Sequence, residues 1–437
     1  MQSVFHRITL YGKRGKGLMS RKRILVLISE GGGGHKTAGD ALSQIFSPEY
    51  EVDIVNVITQ IIYPLDWLHV ASFGKFTGED LYNFMLCKGF HKALNAFASA
   101  GDKYMLANQS KIEKLFEKYL EKLEAPYDLV ISTVPFVNGG IAKVLQKRKV
   151  PFLIVPINLD TSMFFLGMKQ VLVQEEDKIL FAFPYDDGDL RKKSLKNVTF
   201  PLQKIVVTGF PVRRECQKRY SEEETLVFRE NHGMNSNKHC ITLVLGASGN
   251  RQLLSYVQKL SCLRLQDFDR ELEINVCVGK YEKTYQKLCR LLLGQGALLL
   301  QETDFFASIQ MPNGLVFFIR KYTTALSQIM ACSQLIITKT GSCSVNEAIY
   351  LGKKLLLDNT DLSLAGHLFW ELFNLHFVRK QGLGDVFHDL SEMTTLIRIL
   401  LKEDLGHPVV TGAFPLPDFK ENIQRVVSSL LVSESLC

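Results

Sequence analysis

The chain of 437 residues, with 46% hydrophobic and 22% charged residues, has the composition of an ordinary globular protein and is long enough for two domains. No apolar run approaches the roughly 20 residues of a membrane-spanning helix, and the basic N-terminus lacks the apolar stretch of a signal peptide. The nine cysteines are scattered without any CxxC pair. We therefore expect reduced thiols, a cytoplasmic location and no metal framework.

The formal net charge of +7 is concentrated at the N-terminus. Before residue 24 the chain carries no acidic residue and these basic ones: Arg7, Lys13, Arg14, Lys16, Arg21, Lys22 and Arg23. We predict a basic arm over residues 1–22 that attracts an anionic membrane surface; a solubilising leader, or upstream sequence before a second start at Met19, is the alternative. The remaining chain is neutral and has no basic stripe studded with aromatics, which argues against nucleic acid as a partner.

Apolar runs of strand length alternate with helical patterns along the whole chain, which predicts an α/β fold with a parallel sheet in each of two units. The strands predicted in the first half are Ile24–Ser29, Val52–Val57, Asp128–Thr133, Pro151–Ile157, Gln170–Val173 and Lys204–Thr208. The strands predicted in the second half are Cys240–Leu245, Glu273–Val278, Val316–Ile319, Leu335–Thr338 and Lys354–Asp358. Helices are predicted at Lys36–Phe46, Gly139–Gln146, Arg251–Leu260, Thr324–Cys332, Ser344–Leu351 and Asp418–Leu431.

This order predicts a first domain over residues 23–210 and a second over residues 211–415, joined near a glycine-proline turn. We expect the last segment, residues 416–437, to form a helix that packs back on the first domain. Residues 61–97 break the α/β rhythm because they are rich in aromatics with interspersed lysines. They are typical of a helical subdomain covering its own core, or of an amphipathic element that faces a membrane or accepts a lipid. The two interpretations are compatible.

The first predicted strand runs into four glycines followed by a histidine, Gly31–His35. The spacing fits neither a Walker A loop nor a dinucleotide-binding fingerprint. What remains is a backbone-rich turn at a helix start with an imidazole at its mouth. His35 either caps the helix or binds and deprotonates an acceptor hydroxyl across a cleft.

Several motifs resemble one known family in order and spacing. They are GGGGHKTAGDAL (Gly31–Leu42), YDLVISTVPF, VTGFPVRREC, LGASGN (Leu245–Asn250) and ITKTGSCSVNEAIYLGKKLLL (Ile337–Leu357). Together they resemble the monogalactosyldiacylglycerol synthase and processive diacylglycerol glucosyltransferase family, which is related to the lipid I N-acetylglucosaminyltransferases. The resemblance spans about residues 22 to 430. It implies the GT-B fold, in which two Rossmann-like domains face each other across a cleft, the first binding the acceptor and the second the nucleotide sugar.

The resemblance also implies the site residues. Ser248, Lys339 and Ser344 would hold the pyrophosphate of a UDP-sugar, Glu347 the ribose, and the backbone beside Tyr322 would contact uracil. The full set expected at the nucleotide sugar is Gly246, Ser248, Gly249, Tyr322, Lys339, Gly341, Ser342, Ser344 and Glu347. The acceptor would meet Gly33, Gly34 and Trp67, and the catalytic residues would be His35 and Asp160. Two facing helix N-termini stabilise a departing UDP without a metal, so we expect no cofactor.

The sequence departs from the family pattern at three places. The family aspartate corresponds to Asp160, although the register also allows Asn158. The family glutamine that contacts the donor sugar has no counterpart here, with His367 as a possible substitute. Thr340 and Ser342 replace a proline and a glycine of the family motif. The expected activity is inverting transfer of a hexose from a UDP-sugar to a membrane lipid, first of all diacylglycerol, by a peripheral membrane enzyme of glycolipid biosynthesis. The alternatives are a lipid I-type transferase, a nucleotide-sugar epimerase, and a degenerate non-catalytic UDP-sugar-binding or membrane-associated protein.

Overall fold

The structure is a computed structural model that describes residues 21–196, 198, 200–246, 250–360, 367–402 and 415–432. Most of the basic arm, together with Ser248 and Gly249 of the predicted donor loop, lies outside the described residues.

The first domain is built on a six-stranded sheet in which every pairing is parallel, with strand order β2-β1-β3-β4-β5-β6. Its strands are β1 (Arg23–Ile28), β2 (Glu51–Asn56), β3 (Leu129–Ser132), β4 (Phe152–Ile154), β5 (Ile179–Phe183) and β6 (Ile205–Val207). Strands β1 and β3 are continuous apolar runs because helices cover both faces of the sheet.

Helices connect successive strands along the chain. In the described part of this domain they are α1 (Gly34–Phe46), α2 (Val57–Gln60), α3 (Trp67–Ala71), α4 (Gly78–Lys88), α5 (His91–Ala107), α6 (Gln109–Glu121), α7 (Asn138–Arg148) and α8 (Gly188–Ser194). The aromatic segment 61–97 therefore forms α3, α4 and the first part of α5. Asp66 begins α3, and Thr77 begins α4 with a capping box shared with Asp80.

The second domain is built on an eight-stranded sheet with order β14-β13-β12-β7-β8-β11-β10-β9. Its strands are β7 (His239–Val244), β8 (Leu272–Gly279), β9 (Leu298–Glu302), β10 (Phe306–Gln310), β11 (Val316–Lys321), β12 (Leu335–Thr338), β13 (Lys354–Asp358) and β14 (Gly384–Phe387). Its helices and the C-terminal one are α9 (Arg214–Gln217), α10 (Glu222–Asn231), α11 (Asn250–Leu260), α12 (Glu282–Leu293), α13 (Leu326–Ala331), α14 (Ser342–Tyr350), α15 (Leu372–Lys380), α16 (Leu390–Lys402) and α17 (Phe419–Leu431).

Two features of the sheets differ from the sequence-based expectation. The predicted strand Gln170–Val173 was wrong: a short 3-10 turn ends at Gln170, and the fifth strand of the first sheet is β5 instead. The second sheet is not wholly parallel, because β9 and β10 form an antiparallel edge beside β11.

The C-terminal helix α17 packs on the first domain. Phe419, Ile423 and Val427 are buried in the same core as β1 and α1, and Asn422 donates a hydrogen bond to the Thr208 carbonyl at the end of the first sheet. Among the described residues, no helix is both long and apolar enough to cross a membrane.

Candidate functional site

A cavity of about 580 Å³ lies between the two domains and is lined from both sides. The first domain contributes the glycine loop and the start of α1, and the second contributes the segments that follow β7, β11, β12 and β13. These segments lie at the carboxyl ends of parallel strands, where α/β sheets bind ligands. The lining includes these predicted residues: Gly33, Gly34, His35, Gly246, Tyr322, Lys339, Gly341, Ser342, Ser344 and Glu347.

The glycine loop lets the two domains approach closely. A Cβ atom at Gly34 would lie 2.9 Å from Ile157 and 3.3 Å from the sulfur of Cys343, which belongs to α14 of the second domain. Gly32 has a φ of 77°, in the left-handed region that favours glycine. The glycines thus serve a tight turn and a domain contact.

His35 is held in one orientation at the start of α1. Its Nδ1 lies 2.7 Å from the carbonyl oxygen of Thr133, so Nδ1 carries the proton and donates it to that oxygen. Burial lowers the pKa of His35 to about 4, although the hydrogen bond to Thr133 opposes the shift. The ring is therefore neutral at pH 7, and the lone pair of Nε2 is available to accept a proton.

Glu347 enters the cleft from α14 already paired with an arginine. The Nε and Nη2 atoms of Arg213 donate to its two carboxylate oxygens at 2.6 and 2.7 Å. The Glu347 side chain is 6% exposed and that of Arg213 36%. Arg213 follows the turn that joins the domains and also lines the cavity, so any ribose contact by Glu347 is made by an oxygen that Arg213 also binds.

A second carboxylate, the half-buried Glu371, lies in the cavity beside Lys339 and Thr340. The Thr340 hydroxyl donates to it at 3.0 Å. Burial raises the pKa of Glu371, while it lowers that of Lys339, and the charges of Asp358 and Glu371 partly oppose the shift at the lysine. The sequence analysis did not identify Glu371. The one sequence feature that could have pointed to it is its position after the predicted strand Lys354–Asp358, where His367 was considered instead. His367 lines the cavity as well.

The structure does not bring Asp160 to the cleft. Its carboxylate accepts from the Ser162 hydroxyl at 2.6 Å and pairs with the Lys193 ammonium at 3.1 Å, and its side chain is 8% exposed. Asn158, two residues earlier, lines the cavity. Of the two registers, the structure brings Asn158 to the cleft, because the loop after β4 directs the side chain at 158 there and holds the one at 160 against α8. A catalytic role for either residue stays a prediction.

A second cavity of about 480 Å³ adjoins the first and is mostly apolar. Helices α3, α4 and α5 form much of its wall, and Trp67 lies at its edge with 67% of its surface exposed. Both cavities share the following residues: Gly31, His35, Tyr82, Asn158 and Trp370. His35 thus lies where the polar cleft meets an apolar compartment.

The segment before Glu371 joins the two domains. The Tyr82 and Trp370 rings stack at 6.4 Å, and Trp370 and Leu368 share an apolar cluster with Met85 and Leu94 of α4 and α5. Among the described residues, no group of three or more His, Cys, Asp and Glu is placed to hold a metal ion; the expectation of metal-independent chemistry stays a prediction.

Solved structures with the same architecture identify the fold. MurG of Acinetobacter baumannii aligns with a TM-score of 0.54 at 14% identity, covering 93% of this chain and 99% of that one. An MnaA of S. aureus solved with UDP (TM-score 0.50, 13% identity, 95% and 99% covered) and a putative UDP-N-acetylglucosamine 2-epimerase of Listeria monocytogenes (0.51, 12%, 94% and 96%) share the fold. The expected GT-B fold is confirmed.

Sequence comparison with curated proteins adds more specific similarities. Processive diacylglycerol beta-glucosyltransferases of Bacillus cereus and Bacillus thuringiensis are each 24% identical over 398 residues, which cover 89% of this chain and 88% of the relative. No family model matches the chain. The resemblance inferred from the motifs is confirmed, and so is the class of enzyme: the chain is a GT-B glycosyltransferase, similar along most of its length to diacylglycerol glucosyltransferases.

Proposed function

We propose that the protein transfers a hexose from a UDP-sugar to the hydroxyl of a membrane lipid, with diacylglycerol as the first candidate acceptor. The observation that carries this proposal is the position of His35, which lines both the polar cleft and the apolar cavity. A lipid alcohol in the apolar cavity would bring its hydroxyl to His35. The relatives named diacylglycerol glucosyltransferases support the same acceptor class.

In the proposed reaction the acceptor oxygen attacks the anomeric carbon of the sugar in line with the departing UDP. The acceptor O–H bond breaks as its proton passes to Nε2 of His35, the new C–O bond forms with inversion, and the bond to UDP breaks. The imidazolium so formed is disfavoured by burial, as the lowered pKa of His35 shows. The proton would therefore pass on from His35, and the released UDP is an anionic acceptor that the reaction itself supplies.

The donor would lie against the second domain. The Lys339 ammonium has no hydrogen-bond or ion-pair partner within bonding distance among the described residues and lines the cavity, so it is available to the pyrophosphate. The N-terminal turn of α14, with Ser342 and Ser344, points the positive end of the helix at the same place. Glu347 would bind the ribose and Glu371 a hydroxyl of the sugar, while the backbone at Tyr322 would contact uracil.

Transfer to a membrane lipid also requires the protein to contact the membrane, and we propose that the loop after α3 makes this contact. Two large apolar side chains are exposed in this loop, Phe73 and Phe76, and two more are exposed on α3 itself, Trp67 and Val70. Phe73 is 94% exposed and has a φ of 54°, a costly conformation for a bulky residue. An aromatic held in water in this way is typical of residues that enter a lipid interface.

Binding to vesicles tests this membrane contact. Vesicles containing anionic lipid should sediment the wild-type protein at low salt, and Phe73→Ser should lower the bound fraction several-fold. Leu172→Ser is the matched control, since Leu172 is 77% exposed in the same domain but lies outside the α3–α5 segment. Equal loss with both variants, or no loss with Phe73→Ser, would refute the role of this loop.

Release of UDP from a panel of UDP-hexoses, with and without diacylglycerol in mixed micelles, tests the activity. Lipid-dependent release with one sugar is the expected result. Release from UDP-N-acetylglucosamine without any lipid would favour an epimerase, a reaction for which the Listeria monocytogenes neighbour is named. Tight binding of UDP without turnover on any pair would favour a non-catalytic protein.

A further inference from the structure

The first backbone amides of the glycine loop are bound by a carboxylate of the protein itself. In glycine loops that bind phosphate, successive backbone N–H groups surround the anion. Here Oε1 of Glu79, on α4, accepts from the backbone nitrogens of Glu30 at 2.7 Å and Gly31 at 3.2 Å. The Ser29 hydroxyl donates to the same oxygen. Glu79 therefore occupies the place that an anionic ligand takes in a phosphate-binding loop.

Two further side chains of α4 contact the same loop. Asn83 accepts from the backbone nitrogen of Gly32 at 2.8 Å and donates to the backbone oxygen of Glu30 at 2.9 Å. The ring of Tyr82 packs against the loop, since a Cβ atom at Gly32 would lie 3.7 Å from it. Positions 79, 82 and 83 share one face of a helix. One face of α4 thus fixes the loop over three successive residues.

The carboxylate of Glu79 is satisfied by neutral donors alone. Its second oxygen accepts from the Asn56 amide at 2.8 Å. The Oδ1 atom of Asn56 accepts from the backbone nitrogens of Ile58 and Thr59 and so begins α2, which determines that its NH₂ group faces Glu79. Glu79 is 9% exposed and forms no ion pair among the described residues. A buried charge of this kind is tolerated only while its hydrogen bonds are intact, so the loop and α4 are held together as one unit.

We propose that Glu79 is a positioning residue for His35: by binding the glycine loop from within the protein, it fixes the chain that leads into α1 and thereby the imidazole at the cleft. The inference rests on the proposed function in that His35 is taken as the base. It goes further in assigning to the reaction a residue of α4 that acts through the loop. The hydrogen bond from Nδ1 to Thr133 sets the orientation of the ring, whereas the loop sets the position of its backbone. A displacement of about 1 Å can lower a rate about 100-fold.

Glu79→Gln tests this role by steady-state UDP release. Whichever way the new amide turns, its NH₂ group meets either the loop amides or the NH₂ group of Asn56, so one set of hydrogen bonds is lost. We expect kcat to fall at least tenfold while the donor KM changes less than threefold. Asn83→Ala removes the contact at Gly32 and leaves the buried carboxylate in place, so it should show the same pattern even if Glu79→Gln folds poorly.

A compensating substitution separates positioning from a loss of charge at residue 79. In the double variant Glu79→Gln/Asn56→Asp, the new carboxylate at position 56 can accept from the new amide and still accept from the two backbone nitrogens that begin α2. The hydrogen bonds are complete again, and kcat should recover to within threefold of the wild-type value. Asn56→Asp alone places two buried carboxylates together and should be harmful. A double variant as slow as Glu79→Gln would overturn the proposal.

Asp80→Asn is the matched control. Asp80 is the next acid on α4, is exposed, and forms the capping box with Thr77 without touching the loop. If Glu79 matters only because α4 needs a stable first turn, this variant should slow the reaction as much as Glu79→Gln does, and the proposal would be refuted. We expect kcat to stay within twofold of the wild-type value.

Hydrogen exchange of the peptide 29–35 gives a readout that needs no turnover. Glu79→Gln should speed the exchange of the amides at 30 and 31 at least tenfold, and adding Asn56→Asp should restore their protection; unchanged exchange would overturn the proposal. An inactive wild-type protein with the expected exchange would refute the transferase and keep Glu79 as the residue that holds the loop. An active protein whose kcat neither Glu79→Gln nor Asn83→Ala lowers would refute the positioning role and keep the transferase.

Discussion

Replacing Glu347 by alanine should weaken donor binding and destabilise the second domain at the same time, and the structure allows the two effects to be separated. Glu347 is almost fully buried and accepts two charge-assisted hydrogen bonds from Arg213. Removing one partner of a fully buried pair costs roughly 3–5 kcal/mol. Because 36% of the Arg213 side chain is exposed and water can reach it, we expect about 2–3 kcal/mol for Glu347→Ala.

The double-mutant cycle of Glu347→Gln and Arg213→Gln measures the pair by itself. If the two side chains act only on each other, each single variant should lower the free energy of unfolding by a similar amount and the double variant by little more. If Glu347 also binds the ribose of the donor, Glu347→Gln should raise the donor KM at least tenfold. Arg213→Gln, which keeps the carboxylate, should raise it less.

Steady-state UDP release with varied donor, and thermal unfolding with and without UDP, are the two assays. Glu392→Gln in the same domain is the matched control, since its partly exposed carboxylate lies outside the cleft. A donor KM unchanged by Glu347→Ala would refute the ribose contact. An equal rise with Glu347→Gln and Arg213→Gln would show that the ion pair, and not the carboxylate as a ligand, shapes the donor site.

Three further outcomes are expected. His35→Gln should lower kcat about 100- to 10,000-fold with little change in donor KM, as for loss of a general base; an unaffected kcat would refute that role. The folded-state pKa of His35, about 4, lies below its ordinary value of 6.5, so the unfolded chain takes up a proton at a higher pH than the folded protein does. The free energy of unfolding should therefore fall as the pH drops from 6.5 towards 4. In the His35→Gln variant this fall should be less steep. Asp160→Asn should change kcat less than threefold in the UDP-release assay, because the carboxylate is held by Lys193 away from the cleft; a large loss would restore it to the site.

The sequence allowed the parallel strands to be predicted well because they are continuous apolar runs between helical patterns. Two parallel strands, β5 and β14, were not predicted, although β5 is a continuous apolar run. Elsewhere the prediction failed where the apolar signal was imitated or absent. The run at Gln170–Val173 looks like a strand, yet Leu172 is 77% exposed. Strand β9 was missed because every residue of it is exposed, so it has no alternation of buried and exposed positions. It is held by pairing with β10 and by a hydrogen bond from the Tyr285 hydroxyl to Glu302.

The site shows the same division. The glycine loop, the two helix starts and His35 were identifiable because local backbone geometry requires particular residues at particular spacings. The choice between Asp160 and Asn158 depends on a two-residue shift in an irregular loop, which no periodic pattern determines. The ion pair of Arg213 with Glu347 joins residues 134 positions apart. Glu371 belongs to the site because the tertiary fold places residues 367–371 against the cleft, which no local sequence pattern indicates.

The arrangement of the segment 367–371 links the two cavities physically. Asn95 of α5 donates to the backbone oxygen of residue 367 at 2.8 Å and accepts from the backbone nitrogen of Phe369 at 3.3 Å. Trp370 lines both cavities and directly precedes Glu371, which lines the cleft between the domains. The helices that surround the proposed lipid compartment therefore hold the segment that carries a proposed sugar contact. A ligand in one cavity that shifts this segment changes the binding affinity for a ligand in the other cavity. The reverse effect has the same free energy, since coupling between two bound ligands is reciprocal. The aromatic insertion thus does more than cover the first domain, because it also forms part of the wall of the cleft between the domains.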